Sequence, residues 1–489
     1  MKTFKQKAVY SAVASATLLV AGAASAVNVN TDGLGEALIY PYYTVRNGQT
    51  TLISVVNTTN QAKAVKVRIN EGKNTREVLD FNLWLSAKDV WTAAIVATDD
   101  GAGIATLDKS CTNPKINGVV PFRNSGYTGD APSLRTLDRT REGYIEIIEM
   151  ATVVEGSDTE ADVTHNSSGV PGVPKGDGCQ LVSNKESQAR KFTDYDLPSG
   201  GLFGAGTLVS SSMSTGYNAT ALEGLGFTAG IRESGDVIPN LGSGSNLTAV
   251  VVDSPSSGTS RITAANFTAS IDAVSAVLMH SSVMGEYSYD STLGTDWVIT
   301  MPTKRAYVNP APARAPFQRA WNGANRDGLG NWIGNGTACV DVTIHSYDRE
   351  EQSSSTPDDF SPVSDSGIPQ LCYESTVVSF DAATSGPSSV LASTNVSHYK
   401  GYQNPTTAGG WAEIVFGNAG SAYVPELGAL ATSQTTMVTA TGIANPVTQA
   451  VTFGGLPAIG FAVSAAKFTT SSNNYNSSYN LAFRRAIKF

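Results

Sequence analysis

The sequence predicts a mainly β fold: Ig-like β-sandwich elements with long disulfide-stapled loops and one covering helix. Three observations carry that prediction. Short stretches rich in Val, Ile, Thr, Tyr and Phe alternate apolar and polar residues with period two, the side-chain period of a strand. Turn residues separate them, and 47 of the 489 residues are glycine, which accepts the backbone angles that tight turns need. Only 15% of residues are charged, too few for the Glu/Lys faces of long solvent-exposed helices.

Residues 1–26 stand apart from the fold. Lys2, Lys5 and Lys7 precede an apolar, Ala-rich run from Ala8 to Gly22, and Ala24-Ser25-Ala26 has the A-x-A form of a cleavage site. This is the pattern of a secretory signal peptide. Its removal takes away three lysines and no acid, leaving 463 residues and moving the net charge from −9 to −12. No later stretch approaches the ~18 continuous apolar residues of a membrane helix. An acidic balance of this kind argues against nucleic acid or anionic lipid as a partner. The expected address is the cell surface or the extracellular space, with the periplasm as the third option.

The next region, 27–155, reads as an N-terminal Ig-like β-sandwich. Gly35 to Thr59 ("GEALIYPYYTVRNGQTTLISVVNTT") supplies its first strands around a turn at Arg46-Asn47-Gly48. Val65, Val67 and Ile69 share one face while Lys66 and Arg68 share the other, the alternation of a half-buried antiparallel strand. Leu79, Phe81, Leu83 and Leu85 alternate with Asp80, Asn82 and Trp84, and Val90–Val96 returns after a turn. Residues 98–138 are loop-like, and Glu142–Val154 is a further strong strand. Residues 156–199 form a polar loop excursion.

Residues 200–308 read as a second β region with one helix. Gly200–Gly206 ("GGLFGAG") runs into a strand pattern, so it is a tight turn and not a phosphate loop, which needs a helix N-terminus after it. Ile271, Val274, Val277 and Leu278 recur at helical spacing with Ser270 placed as the N-cap and His280 on the same helix. Asp296–Val308 is strand-like, with Pro302 marking an edge or an end. Residues 309–371 are a loop-rich segment. Residues 372–489 complete the sheets, ending in "LAFRRAIKF", where Leu481, Phe483, Ile487 and Phe489 alternate. Arg485 interrupts that face, and the other strands lack the repeated lipid-facing pattern of an outer-membrane barrel.

The segments "REGYIEIIEM", "SGGLFGAG", "DWVITMPTKRAYV", "CYESTVVSF" and "GLPAIGFAVSAAKF", taken in order, resemble the signposts of a family of exported, β-rich proteins of Gram-negative bacteria with no established activity. The resemblance implies secretion and a β-rich fold. It carries no cofactor and no catalytic residue.

Cys111, Cys179, Cys339 and Cys372 are an even set in a chain read as exported, which points to disulfides. Of three possible pairings, Cys111–Cys179 and Cys339–Cys372 each staple one polar loop. Zinc is disfavoured because no CxxC spacing occurs and no histidine lies near Cys111 or Cys372 in sequence. The oxygen-rich turns at Asp99-Asp100 and Asn325–Asp327 are the calcium candidates, with the acids of 348–360 (Asp348, Glu350, Glu351, Asp358, Asp359) beside them, and calcium is the sole cofactor considered. His165, His280, His345 and His398 are far apart, and neither G-x-S-x-G nor H-E-x-x-H occurs, so no catalytic residue is nominated. Tyr40, Tyr42 and Tyr43 suit cross-strand packing, or stacking on a sugar. The expectation is a non-enzymatic structural or adhesive surface protein, with copies of itself as partner, joined through strand edges such as the opening stretch. The alternative is a secreted carbohydrate-binding or glycosidase-like protein with a surface glycan as partner.

Overall fold

The computed structural model describes residues 26–166, 179, 182, 192–228, 230–232, 235–256, 258–288, 292–309, 311–353, 360–361, 367–381, 383, 385–400, 409–421, 423–467 and 474–489. The expected signal segment, except Ala26, lies outside them. So do Asp358, Asp359 and much of the loop excursion after Asn166.

The fold is mainly β, built from several sheets. In the first sheet the path runs Asn28–Val29, Thr220–Glu223, Ala37–Thr44, Glu142–Val153, Lys63–Glu71, Glu77–Leu85, Cys111–Asn113. The second runs Met213–Asn218, Leu202–Ser210, Thr50–Asn57, Val90–Ala97, Ala102–Ala105, Val120–Pro121. Their facing sides share a core in which Leu38, Tyr40, Val65, Val67, Phe81 and Ile145 meet Ile53, Val55, Trp91, Ile95 and Leu208. Strand pairs among the described residues are antiparallel, except Ser375–Phe380, which runs parallel to Val396–Tyr399.

The first sheet is buried on both faces. Ala37 and Ile39 enter a second core together with Tyr144 and Ile148, while Leu38 and Tyr40 enter the one shared with the second sheet. That second core is completed by the helix Ser270–Leu278 and by the strands Leu293–Thr300, Val340–Asp348, Gly409–Phe416 and Ile459–Lys467. A strand covered on both sides has no solvent face, so "ALIYPYYT" is buried at every position. The opening stretch is therefore no free edge: Ala37–Thr44 has a partner on each side, and so does Thr50–Asn57.

The half-buried reading of Lys63–Glu71 is corrected for the same reason. Every residue of this strand is buried, Lys66 and Arg68 included, because ion pairs replace the water that the alternation implied. The helix also differs in detail. Its N-cap is Ala269, so Ser270 is the first helical residue; its hydroxyl donates to the Gly242 carbonyl (2.6 Å), and no side chain caps the first turn. The helix stops at Leu278, and His280 lies in the short strand Met279–His280. Arg485 donates to the carbonyls of Val277 (2.7 Å) and Met279 (2.9 Å), satisfying backbone acceptors at this helix end. Among the described residues two short helices join the expected one: Asp158–Val163, which the Ser157 hydroxyl caps by accepting from the Glu160 N–H (3.1 Å), and Arg305–Val308, which replaces the end of the strand expected over Asp296–Val308. Pro302 follows the end of Leu293–Thr300, a central strand between Ser375–Phe380 and Ile459–Lys467.

Both expected disulfides are present, Cys111–Cys179 and Cys339–Cys372. No helix among the described residues is long and apolar enough to cross a membrane.

Candidate functional site

Register decides where the polar residues of the first sheet meet. Arg68 lies opposite Glu146 on one neighbouring strand and Asp80 on the other, while Asn70 lies opposite Tyr144 and Glu77. Tyr144 enters the second core, Arg68, Asn70 and Glu146 are buried beside it, and Glu77 and Asp80 are half-buried. Lys66 pairs with Asp80 (2.7 Å), and Arg68 pairs through Nη2 with Glu77 (2.5 Å). Arg68 Nε lies 3.8 Å from Glu146, whose other carboxylate oxygen accepts from the Tyr144 hydroxyl (3.2 Å). Burial dominates the titration here. It pushes the Glu146 carboxyl up to about 7 against the pull of Arg68, raises Glu77, and lowers Lys66.

This polar face opens into a cleft of about 480 Å³. Arg68, Asn70 and Arg76 form its floor, the segment Pro302–Asn309 one wall, and the loop Val237–Gly242 another. Carbonyls of that loop, Val237 and Pro239, accept from Arg68 Nη1, so the strand's own cation fixes the loop that covers it.

Behind the cleft lies a buried ion network. Arg139 makes a two-point contact with Glu71 (2.7 and 2.7 Å) and a third with Asp130 (2.7 Å). Glu71 also accepts from the backbone N–H groups of Lys73, Asn74 and Arg76, which closes the Glu71–Arg76 turn around the carboxylate. Asp130 accepts from Arg76 (3.3 Å) and from the Trp321 indole (3.0 Å). Burial would raise both acids, but Arg139 and these donors hold Glu71 and Asp130 below the ordinary carboxylate range. The neighbouring Lys304 is entirely enclosed and donates to the carbonyls of Cys372 and Tyr373; desolvation brings it down to about 7. Burial also holds Glu374 well above the usual carboxylate range.

The residues nominated from the sequence are not part of this site. Asp99 and Asp100 lie in an exposed turn, where the Asp99 carbonyl accepts from Arg141. Asn325 and Asp327 lie in a surface loop; the Asp327 carboxylate is engaged by the Leu329 and Asn331 N–H groups and the Asn331 side chain. No group of three or more His, Cys, Asp or Glu residues among the described residues is arranged to hold a metal. Tyr40, Tyr42 and Tyr43 are wholly buried, so cross-strand packing, and not a sugar, accounts for them.

The histidines also sit apart. His165 lies 3.6 Å from Asp89, His345 is exposed, and burial brings His280 down to about 3. His398 bonds Asp381 through Nδ1 (3.0 Å) and the Gly386 carbonyl through Nε2 (3.0 Å). Ser379 contacts the carboxylates of Asp381 and Asp296 (2.7 Å each) and not the imidazole, so these residues do not form a nucleophile–base pair. The cleft itself was missed in the sequence. The available signal was the cationic residues Lys66, Arg68 and Arg76 in and beside strands that must be mostly buried. No family model matches the chain, and no curated protein is similar to it.

Proposed function

We propose that the protein is exported, its first 26 residues acting as a cleaved signal, and that it is a non-catalytic structural or adhesive component of the cell surface or extracellular space that associates with its own copies. The two disulfides support an oxidising address. The observation that carries the reading is the outer face of the second sheet. Three in-register rows, Phe203-Val56-Val90, Ala205-Ser54-Thr92 and Thr207-Leu52-Ala94, contain no charged side chain. Leu52, Val90 and Phe203 are 42–48% exposed, and the neighbouring Leu107 is 95% exposed. Exposed apolar side chains gathered on one uncharged sheet face mark a candidate contact surface. Without its first 26 residues the chain carries a net charge of −12, so copies repel each other and a face that bears no charge is the favoured place for contact. Sheet faces pack on one another at about 10 Å, which makes a second copy of this face a fitting occupant.

Size-exclusion chromatography with light scattering and negative-stain microscopy of Val27–Phe489 tests this. Regular oligomers that dissolve in the Leu52→Lys/Val90→Lys double variant are the expected result. A monomer at every concentration refutes self-association.

A further inference from the structure

The cleft over the first sheet has a chemical bias that the folding role of its residues does not consume. Three N–H groups of its floor have no hydrogen-bond partner among the described residues: Arg68 Nε, Arg76 Nε and Asn70 Nδ2. Asn70 is 2% exposed and Arg68 8% exposed, so these donors are removed from bulk water. A buried donor left unmade costs about 1–3 kcal/mol, which a bound acceptor recovers. The lining also holds two carboxylates, Glu77 in an ion pair with Arg68 Nη2 and Glu146 accepting from the Tyr144 hydroxyl, with Arg68 Nε 3.8 Å away.

Charge points the same way. Arg68 is balanced by Glu77, and Arg76 and Arg139 together face Asp130 and Glu71. Arg305 completes the wall and has no ion pair among the described residues. Its Nη1 donates to the backbone carbonyls of Asn74 (3.3 Å) and Thr75 (2.8 Å). The nearby carboxyl, Glu374, forms no ion pair with it among the described residues, and burial holds that carboxyl above its ordinary range. Arg305 is therefore the guanidinium of the lining without an ion pair among the described residues, and a planar carboxylate is its natural two-point partner.

The volume of about 480 Å³ falls in the range of small-ligand pockets. Ser125, Thr303 and Asn309 add hydroxyl and amide groups to the walls, and Ile271 and Leu241 add an apolar patch for C–H faces.

We propose that this cleft binds a polyhydroxylated monocarboxylate of monosaccharide size, a sugar acid, with the carboxylate set against Arg305 and Arg76 and the ring hydroxyls against the polar walls. This is a ligand site on a protein read above as structural, and it does not depend on self-association.

Isothermal titration with glucuronate and galacturonate, against glucose and inorganic phosphate, tests it. At least one uronate binds, and glucose and phosphate bind at least about tenfold more weakly. Arg305→Gln weakens uronate binding by at least about tenfold with the circular dichroism spectrum retained. Because Arg305 also braces backbone carbonyls, Ser125→Trp is the second variant. Ser125 is exposed at the cleft mouth, where an indole takes up ligand space while the ion pairs of the buried network keep their residues. Folded protein that ignores both uronates overturns the proposal. So does phosphate binding as tightly as the uronates, which reduces the cleft to a general oxyanion site. Unchanged binding in Ser125→Trp, or in folded Arg305→Gln, overturns the location.

Discussion

The inner polar face of the first sheet and the outer face of the second sheet use charge in opposite ways. The first, enclosed by protein, holds Lys66, Arg68, Asp80, Glu77 and Glu146, with Glu71, Asp130 and Arg139 behind them. The second, open to water, holds none in its three rows, and the Asp108 carboxylate beside them accepts from the Thr92 N–H. In an ordinary sandwich the arrangement is reversed, because water solvates charge at no cost while burial must be compensated by partners. Charge inside is costly unless it is partnered, so the ion pairs of that region specify which loops close over the sheet. A charge-free face outside demands nothing of the fold, so its composition is free to serve association. The contrast separates what holds this protein together from what it offers to others, and each side can be perturbed by itself.

The largest effect is expected in the buried network. Arg139→Met leaves Glu71 and Asp130 enclosed without their shared cation, and about 3–5 kcal/mol of stability is lost in urea unfolding. A variant within 1 kcal/mol of wild type would show that water reaches the network and that its charges are not buried in practice. Next in size is the Cys339–Cys372 bridge, whose Cys372 carbonyl accepts from Lys304 at the border of the same region. Replacing both cysteines by serine frees a loop of 33 residues' separation and costs about 3–4 kcal/mol in the loop-entropy account. Thermal unfolding with and without reductant measures it: reductant lowers the wild-type midpoint and leaves the double-serine protein unchanged.

The fold class was legible because period-two alternation survives in strands such as Glu77–Leu85 and because turn residues punctuate the chain. The disulfide pairing was legible from which polar loops needed fastening. The cleft was not, and Lys66 and Arg68 show why. Alternation reports that a strand has two unlike faces; it does not report what covers the polar one. The cover is the loop Val237–Gly242 and the segment Pro302–Asn309, over 150 residues away in sequence, and only tertiary structure brings them together. Ser270 failed as a cap because the helix starts one residue earlier than the pattern indicated: Ala269 takes the N-cap position and the Ser270 hydroxyl donates to Gly242 instead. The helix Asp158–Val163 carried a local signal, Ser157 followed three residues later by Glu160, inside a stretch whose composition reads as loop.

A smaller effect tests burial through pH. Glu36 is 8% exposed, accepts from the Leu225 N–H, and is pushed up to about 7 by desolvation, with Glu149 and Glu223 adding repulsion. A carboxyl whose folded value lies above its unfolded value of 4.5 keeps its proton longer in the folded state. Its contribution is therefore most favourable below pH 4.5 and is lost as pH rises to about 7, by about 3 kcal/mol across the window. Glu36→Gln keeps the acceptor for Leu225 and removes the charge. Relative to wild type it gains stability between pH 5 and pH 8 in paired urea titrations, and the wild-type minus variant difference isolates Glu36 from Glu146, which titrates in the same range. A difference independent of pH would place Glu36 in contact with water.

The smallest stability effect is expected on the charge-free face, where the readout moves elsewhere. Thr92 is exposed in the middle row of that face, between Ser54 and the loop bearing Leu107. Thr92→Glu adds one carboxylate where it stays solvated in the monomer, so unfolding free energy remains within about 0.5 kcal/mol of wild type. In a face-to-face pair the same carboxylate is desolvated against an apolar partner and lies near its own symmetry mate, so association weakens and responds to salt. Sedimentation of the wild-type and Thr92→Glu proteins at low and high ionic strength separates the two effects. Loss of association with unchanged unfolding marks the face as an interface, whereas unchanged association in a protein that still oligomerises moves the contact to another surface.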